Sequence, residues 1–128
     1  MGSFSDYYEN KIIDHMLRNQ SFTPPATLYV ALYTVSPSDS GGGTEVSGGA
    51  YARQAVTLSA ASGGATSNSA DITFPQATAD WGTIVAVGIL DASSGGNLLA
   101  WGALTASKTV NSGDQFKILA GDLDITVD

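Results

Sequence analysis

With 128 residues, no cysteine and 43% hydrophobic side chains, the chain can bury a core without disulfides, and thiolate catalysis and zinc–thiolate sites are excluded. Only 13% of the residues are charged, and twelve Asp and Glu against five Lys and Arg leave a net charge of −7. That balance lacks the basic footprint required by nucleic acid or an anionic membrane surface, so neither is an expected partner.

Residues 3–19 are expected to form one amphipathic helix. Phe4, Tyr8, Ile12, Ile13, Met16 and Leu17 fall at helical spacing on one face. Ser3 is the expected N-cap, with Asp6 three residues on, and Asp14 and Arg18 stand at i, i+4. Nothing before the helix has a basic segment followed by an apolar one, so no signal peptide is expected. No stretch reaches the roughly 18 apolar residues of a membrane span.

Pro24 and Pro25 break the helix and open an extended segment. Thr27 to Val35 carries apolar or aromatic residues on both faces, which predicts a central strand covered on both sides. Residues 36–49 are rich in Pro, Ser and Gly and are expected to be a long flexible loop. Tyr51 to Ser59 reads as a strand, Ala60 to Asn68 as a loop and Ala70 to Phe74 as a short strand closed by Pro75. Two apolar runs, Thr83 to Asp91 and Asn97 to Leu104, flank a small loop containing Gly95 and Gly96, the signal of a hairpin. Gln115 to Leu119 and Asp122 to Val127 close the series, with Leu123, Ile125 and Val127 alternating against Asp122, Asp124, Thr126 and Asp128. The expected fold is therefore mainly β, an antiparallel β-sandwich or small barrel of about seven to eight strands with one N-terminal amphipathic helix. Residues 1–128 are expected to form one domain, with the sandwich over 26–128.

No arrangement of residues points to catalysis. His15 is the sole histidine and has no nucleophile elbow to serve. Asp71, Asp80 and Asp91 sit near strand ends, where Asp commonly bonds to nearby backbone in turns, so a glycosidase pair is disfavoured. Asp122, Asp124 and Asp128 alternate along a strand without a calcium-loop turn and read as a solvated face. The glycines at 41–43 and 48–49 lack the Lys-Ser or Lys-Thr of a phosphate loop. No catalytic residue, cofactor or metal is expected. Trp81, Trp101, Tyr29, Tyr33 and Tyr51 read as packing residues, with an interface or a carbohydrate platform as the alternative. Arg53 stands in a neutral strand and is expected to pair with an Asp. The candidate interface residues are Tyr8, Ile12, Ile13, Met16, Tyr51, Arg53 and Trp81.

Five blocks carry a resemblance along the chain from Ser3 to Asp128: SFSDYYENKIIDHML, PPATLYVALYTVSPSD, EVSGGAYARQAV, ITFPQATADWGTIVAVGILDASSGGNLLAWGAL and the Gly-Asp-containing end. Together they resemble a family of small tailed-bacteriophage proteins, labelled phage tail fibre or virion structural proteins. The resemblance implies a virion component made in the host cytoplasm and brings no catalytic residue with it. The chain has no coiled coil, collagen-like repeat or room for a shaft, and its surface is poor in charge. From these features the leading expectation is a capsid decoration or cement protein docked on the major capsid protein, with homo-oligomers expected. The alternative is a tail or tail-fibre component that contributes to host attachment.

Overall fold

Both faces of Leu28–Val35 (β2) are apolar, and this strand is the spine of the fold. In the computed structural model, which describes residues 3–126, Val30 and Leu32 face the main core while Ala31 and Tyr33 face a smaller cluster behind it. β2 pairs antiparallel on one side with Gly82–Leu90 (β7). Its other side pairs with Thr44–Glu45 (β3) and Gln54–Val56 (β4). Leu98–Val110 (β8) pairs with β7, and Ser3–Phe4 (β1) pairs with β8, giving a sheet in the order β1-β8-β7-β2-β3, with β4 also on β2. Two small antiparallel sheets complete the strands: Ala65–Ser67 (β5) with Asp124–Thr126 (β10), and Ile72–Thr73 (β6) with Lys117–Ile118 (β9). The result is mainly β and sandwich-like, and the barrel is not closed.

The core lies where the large sheet meets the residues around the small ones. Val30, Leu32, Ile84 and Ile89 from the large sheet pack with Ile72, Phe74, Phe116 and Leu123. Phe74 is fully buried, stacks on Tyr51 at 6.1 Å and meets Phe116 edge-on at 5.8 Å. Such aromatic pairs contribute beyond the area they bury. Ile84 and Val87 both face this core although they are three residues apart, which a regular strand forbids. The register shift between Ile84 and Ala86 accounts for it. Opposite Val85, β8 carries Leu104, Thr105, Ala106 and Ser107, and this bulge turns Val85 and Ala86 together toward the rear cluster.

The helix is shorter than residues 3–19 and starts later. Asp6–Leu17 (α1) is capped by Ser5, whose hydroxyl accepts from the Tyr8 amide at 3.2 Å. Ser3 is therefore not the cap: with Phe4 it forms β1, opposite Trp101 and Ala100. The Asp14–Arg18 pair forms at 2.8 Å, and Asn19 takes a left-handed φ of 56° just beyond the helix end.

Residues 36–49 are more ordered than a flexible loop. Ser38 and Gly41 bridge to each other, and β3 returns antiparallel to β2. Gly43 makes this return possible. Its φ is +75°, and a Cβ there would lie 2.7 Å from the Pro37 nitrogen and from the Val35 carbonyl oxygen. The expected strand over Tyr51–Ser59 is regular only across β4, because its later residues twist away to bridge Leu58 with Asn68. Within the expected loop 60–68, Ala65–Ser67 pairs with β10. The signal was hidden because this strand is short and made of small residues, two of them hydroxyl-bearing. The hairpin at Gly95 and Gly96 is present, but β8 runs on to Val110, past the expected end at Leu104.

A partly buried polar cluster closes one end of the large sheet. Glu45 accepts from Arg53 Nε at 2.9 Å and Nη2 at 2.8 Å, and from the Tyr51 hydroxyl at 2.6 Å. Arg53 Nη1 donates to the carbonyls of Ala92 and Gly95, both at 2.8 Å. The Leu32 amide donates to the Tyr51 oxygen at 3.0 Å, so a side chain fills the ladder position between β3 and β4. Arg53 thus pairs with a Glu and not with an Asp. Its side chain is only 9% exposed, and that of Glu45 is 25% exposed. Burial works to raise the Glu45 carboxyl, but the hydrogen bonds from Arg53 and Tyr51 prevail and hold it below the usual carboxylate range. Burial, reinforced by Glu45, pushes the Tyr51 phenol well above its ordinary value.

Two outcomes are expected. Gly43→Ala lowers stability by about 2–3 kcal/mol, whereas Gly42→Ala, at a similar φ but with open space around it, loses only about 1 kcal/mol; thermal melts of both variants check this. Glu45→Gln costs about 2–3 kcal/mol near neutral pH, because it strands the Arg53 guanidinium. Glu45 has a depressed folded value, so its contribution is present above the ordinary Glu range and is lost as the pH falls below about 4.3. Urea titrations at a series of pH values should show the gap between wild type and Glu45→Gln narrowing on acidification; a constant gap contradicts the assignment.

Candidate interaction surface

The helix is held at its start and free at its end. Ser5 is buried, its amide donates to the Leu99 carbonyl at 2.8 Å, and its hydroxyl donates to the Leu98 carbonyl. The Asp6 amide donates to the Asp39 carbonyl at 2.8 Å, while the Trp101 indole donates to Asp39 Oδ1 at 2.9 Å. Asp39 thereby ties the helix start to the loop after β2 and to β8. Tyr8 packs edge-on against Phe4 at 5.6 Å and against Phe22 at 6.2 Å. Phe22 also faces His15 at 6.4 Å, and His15 Nδ1 lies 3.0 Å from the Gln20 carbonyl oxygen, so the chain folds back along the helix.

The broad apolar face anticipated for residues 3–19 divides in two. Tyr8 and Ile12 lie along its inner edge and are half-buried. At about 100° per residue, Ile13 falls on the outer side, Met16 stands one turn beyond Ile12 near the free helix end, and Leu17 is again on the outer side. They are 49%, 70% and 80% exposed, the largest exposed apolar group on the described chain. No residue of α1 is fully buried. Of the seven candidate interface residues, Ile13 and Met16 are therefore the most accessible. Tyr51, Arg53 and Trp81 lie elsewhere and are occupied internally. Trp81 is 5% exposed, its indole donates to the Gly49 carbonyl at 2.8 Å, and it meets Tyr51 edge-on at 5.4 Å. An apolar pocket of about 260 Å³, lined by Phe4, Tyr8, Leu28, Leu58, Ile89 and Ile125, opens between the helix start and the β5/β10 pair.

A cleft of about 380 Å³ with mixed polar and apolar walls lies at the other side of the helix start. Three distant segments build it: Ser5–Tyr7, Asp39–Gly41 and Gly96–Leu98. Little in the sequence points to it, since its walls are turn residues and Tyr7 falls outside the apolar phase of the helix. The only available signal was clustering of Asp, Ser and Gly in two separate loops.

The isolated carboxylates bond to backbone amides, Asp91 within its own hairpin loop and Asp71 and Asp80 across the fold to turns distant in sequence. Asp71 accepts from the Ala120 amide at 2.8 Å and pairs with Lys117 at 3.3 Å; the amide bond first, then Lys117, holds its carboxyl below the usual range. Asp80 accepts from the Ser112 amide at 2.8 Å. Asp91 accepts from the Asn97 amide at 2.7 Å and from its side-chain nitrogen at 3.0 Å. Partial burial works to raise Asp91, but the Asn97 bonds lower it on balance. Asp122 and Asp124 are exposed, as the alternation with Leu123 and Ile125 predicts, while Val127 and Asp128 lie outside the described residues. Among the described residues no three His, Asp or Glu side chains converge as metal ligands, and no helix is long and apolar enough to cross a membrane.

None of the curated proteins compared with the chain matches it. Residues 3–126 match the sequence model of the family described as Podophage GP4 fiber I protein gp80. The match covers both the helix that offers Ile13 and Met16 and the sheet that carries it. The chain belongs to the podophage GP4 fiber I protein gp80 family, a family of phage fibre proteins.

Proposed function

We propose that the chain is a non-enzymatic component of a phage tail fibre that contributes to host attachment. The observation that carries this reading is the match to a fibre family along residues 3–126. It favours the tail-fibre alternative over head decoration, and with it neighbouring fibre or tail chains over the major capsid protein as partners. The carboxylates support a structural role as well. Asp71, Asp80 and Asp91 each bond to a backbone amide of a nearby turn and are spent on holding the fold.

The free end of α1 is the part of the surface best suited to a virion neighbour. Ile13, Met16 and Leu17 present three apolar side chains together, whereas the other large exposed apolar residues, Tyr7, Val35 and Leu119, lie apart from them in sequence. A cluster of that kind marks a contact site more often than chance exposure does. Because the backbone of these residues is already helical, docking has to order only their side chains.

Two experiments test this. Labelling of purified virions with an antibody to the chain should mark the tail; label confined to the head overturns the fibre reading. Met16→Asp together with Ile13→Asp should leave the purified protein folded, within about 1 kcal/mol of wild type because both sites are exposed. The same double variant should lower its copy number in virions at least roughly tenfold, as loss of a buried apolar contact at an interface would. Normal incorporation would show that the helix face is not a docking surface.

A further inference from the structure

Two asparagines of the chain precede a serine, and the fold treats them oppositely. Asn68 is 2% exposed, and both ends of its side chain are engaged. Its nitrogen donates to the carbonyls of Ala70 and Leu119, and its oxygen accepts from the Leu123 amide, each at 2.9 Å. Asn111 opens an exposed turn over residues 111–114, and its side-chain amide has no hydrogen-bond partner among the described residues. The other asparagines, Asn10, Asn19 and Asn97, precede Lys, Gln and Leu, whose longer side chains crowd the following amide. A free side-chain amide beside a small following residue is open to attack, at its carbonyl carbon, by the next backbone nitrogen.

At Asn111 that nitrogen is held by a carboxylate from another part of the chain. The Ser112 amide donates to Asp80 Oδ1 at 2.8 Å. The rest of the turn is braced as well. Asp114 accepts from the Asn111 amide at 2.9 Å, the Asp114 amide donates to the Asn111 carbonyl at 2.9 Å, and the Gly113 amide donates to the Ala77 carbonyl at 2.7 Å. Only the Asp80 bond engages the attacking atom itself. To become a nucleophile the Ser112 amide must lose its proton. A carboxylate that accepts a hydrogen bond from it stabilises the neutral amide, and the carboxylate charge disfavours the amide anion.

We propose that Asn111 is a site of spontaneous deamidation and that Asp80 holds its rate down by engaging the Ser112 amide. The Ser112 nitrogen, its proton lost to solvent base, bonds to the Asn111 side-chain carbonyl carbon. The bond from that carbon to the side-chain nitrogen breaks, and ammonia leaves with a proton from solvent. Water then opens the cyclic imide. Breaking the new bond to Ser112 gives aspartate, and breaking the original peptide bond gives isoaspartate. The net change is one water consumed and one ammonia released, with no oxidant or reductant. Either product adds a carboxylate to a turn that already holds Asp80 and Asp114, where like charges repel. Isoaspartate also lengthens the backbone path by one carbon. The turn joins Val110 to Phe116, both buried in the main core, so the change is felt there.

The test is peptide mapping by mass spectrometry after incubation of the purified protein in warm, mildly alkaline buffer, which favours loss of the amide proton. Conversion of the side-chain amide to a carboxyl is expected at Asn111 and not at Asn68. Asp80→Ala should speed it at Asn111 roughly tenfold, as loss of a hydrogen bond to a charged group would. Asp114→Ala separates this from simple loosening of the turn. It removes the bond at the Asn111 amide, leaves the Ser112 amide on Asp80, and should change the rate far less. Buried Asn68 reports on folding in every sample, because a variant that unfolds exposes it to the same reaction. If Asp80→Ala unfolds in this way, Asp80→Asn decides: it keeps an oxygen acceptor without the charge and should give a smaller rise. No conversion at Asn111, equal conversion at Asn68 in the wild type, or an equal rise in Asp114→Ala each overturns the proposal. So does a rate that is unchanged or lowered when Asp80 is replaced in a folded variant.

Discussion

A single guanidinium holds one end of the molecule together. Arg53 reaches β3 through Glu45 and the β7–β8 loop through the carbonyls of Ala92 and Gly95. These segments are far apart in sequence, and β3 is a two-residue strand that could not hold its place by ladder bonds alone. The planar fork of Arg suits this task because one side chain serves a carboxylate bidentately and two carbonyls at once. Tyr51 completes the cluster from its rim, with its ring in the core and its hydroxyl in the gap between β3 and β4. The rear cluster of Tyr33, Ala86 and Leu90 lies behind the same sheet, and Gly88 leaves space there for the Tyr33 ring.

The same end of the sheet leads directly to the cleft. The loop that Arg53 holds at Gly95 continues into Gly96 and Asn97, and Asp91 sets the latter. The loop that β3 closes contains Asp39, which fixes the helix start and the Trp101 indole. The bonds of one partly buried ion pair thus help to hold exposed polar groups several residues away. The helix joins two surfaces of different character along its length of about 18 Å. Its fixed N-terminal end borders a cleft with mixed polar and apolar walls, and its free C-terminal end carries Ile13, Met16 and Leu17.

Strong apolar patterns were legible in the sequence, and pairings made by polar residues were not. β2, β7 and β8 follow from runs such as Leu28–Val35, whose double-sided apolar character requires cover on both faces. The alternation of Leu123 and Ile125 with acidic residues also carried through to the observed burial. By contrast, β3 and β5 are built from Thr, Glu, Ala and Ser, and only their partners make them strands. The helix cap was misplaced by two residues because Ser3 and Ser5 are equivalent locally, and the choice is made by β8, which pairs with Ser3 and Phe4. The Glu45–Arg53 pair spans eight residues through a glycine-rich stretch, and a spacing rule for helices or strands does not reach it. The cleft was hidden for the same reason, since its parts meet only in three dimensions.

The bulge opposite Val85 gives β7 a memory of length. Before it, the core-facing position is Ile84; after it, the core-facing positions are Val87 and Ile89, in the opposite phase. Loss of Val85 or Ala86 would remove this change of phase and leave Ile84, Val87 and Ile89 on one face of a regular strand, whereas loss of a residue elsewhere in β7 would swap the two faces for part of the strand. Substitutions at Val85 or Ala86 change only what fills the rear cluster. Length changes in the regular parts of β7 would exchange core for surface, so they are expected instead at the exposed residues 105–107 of β8, where the ladder is already interrupted.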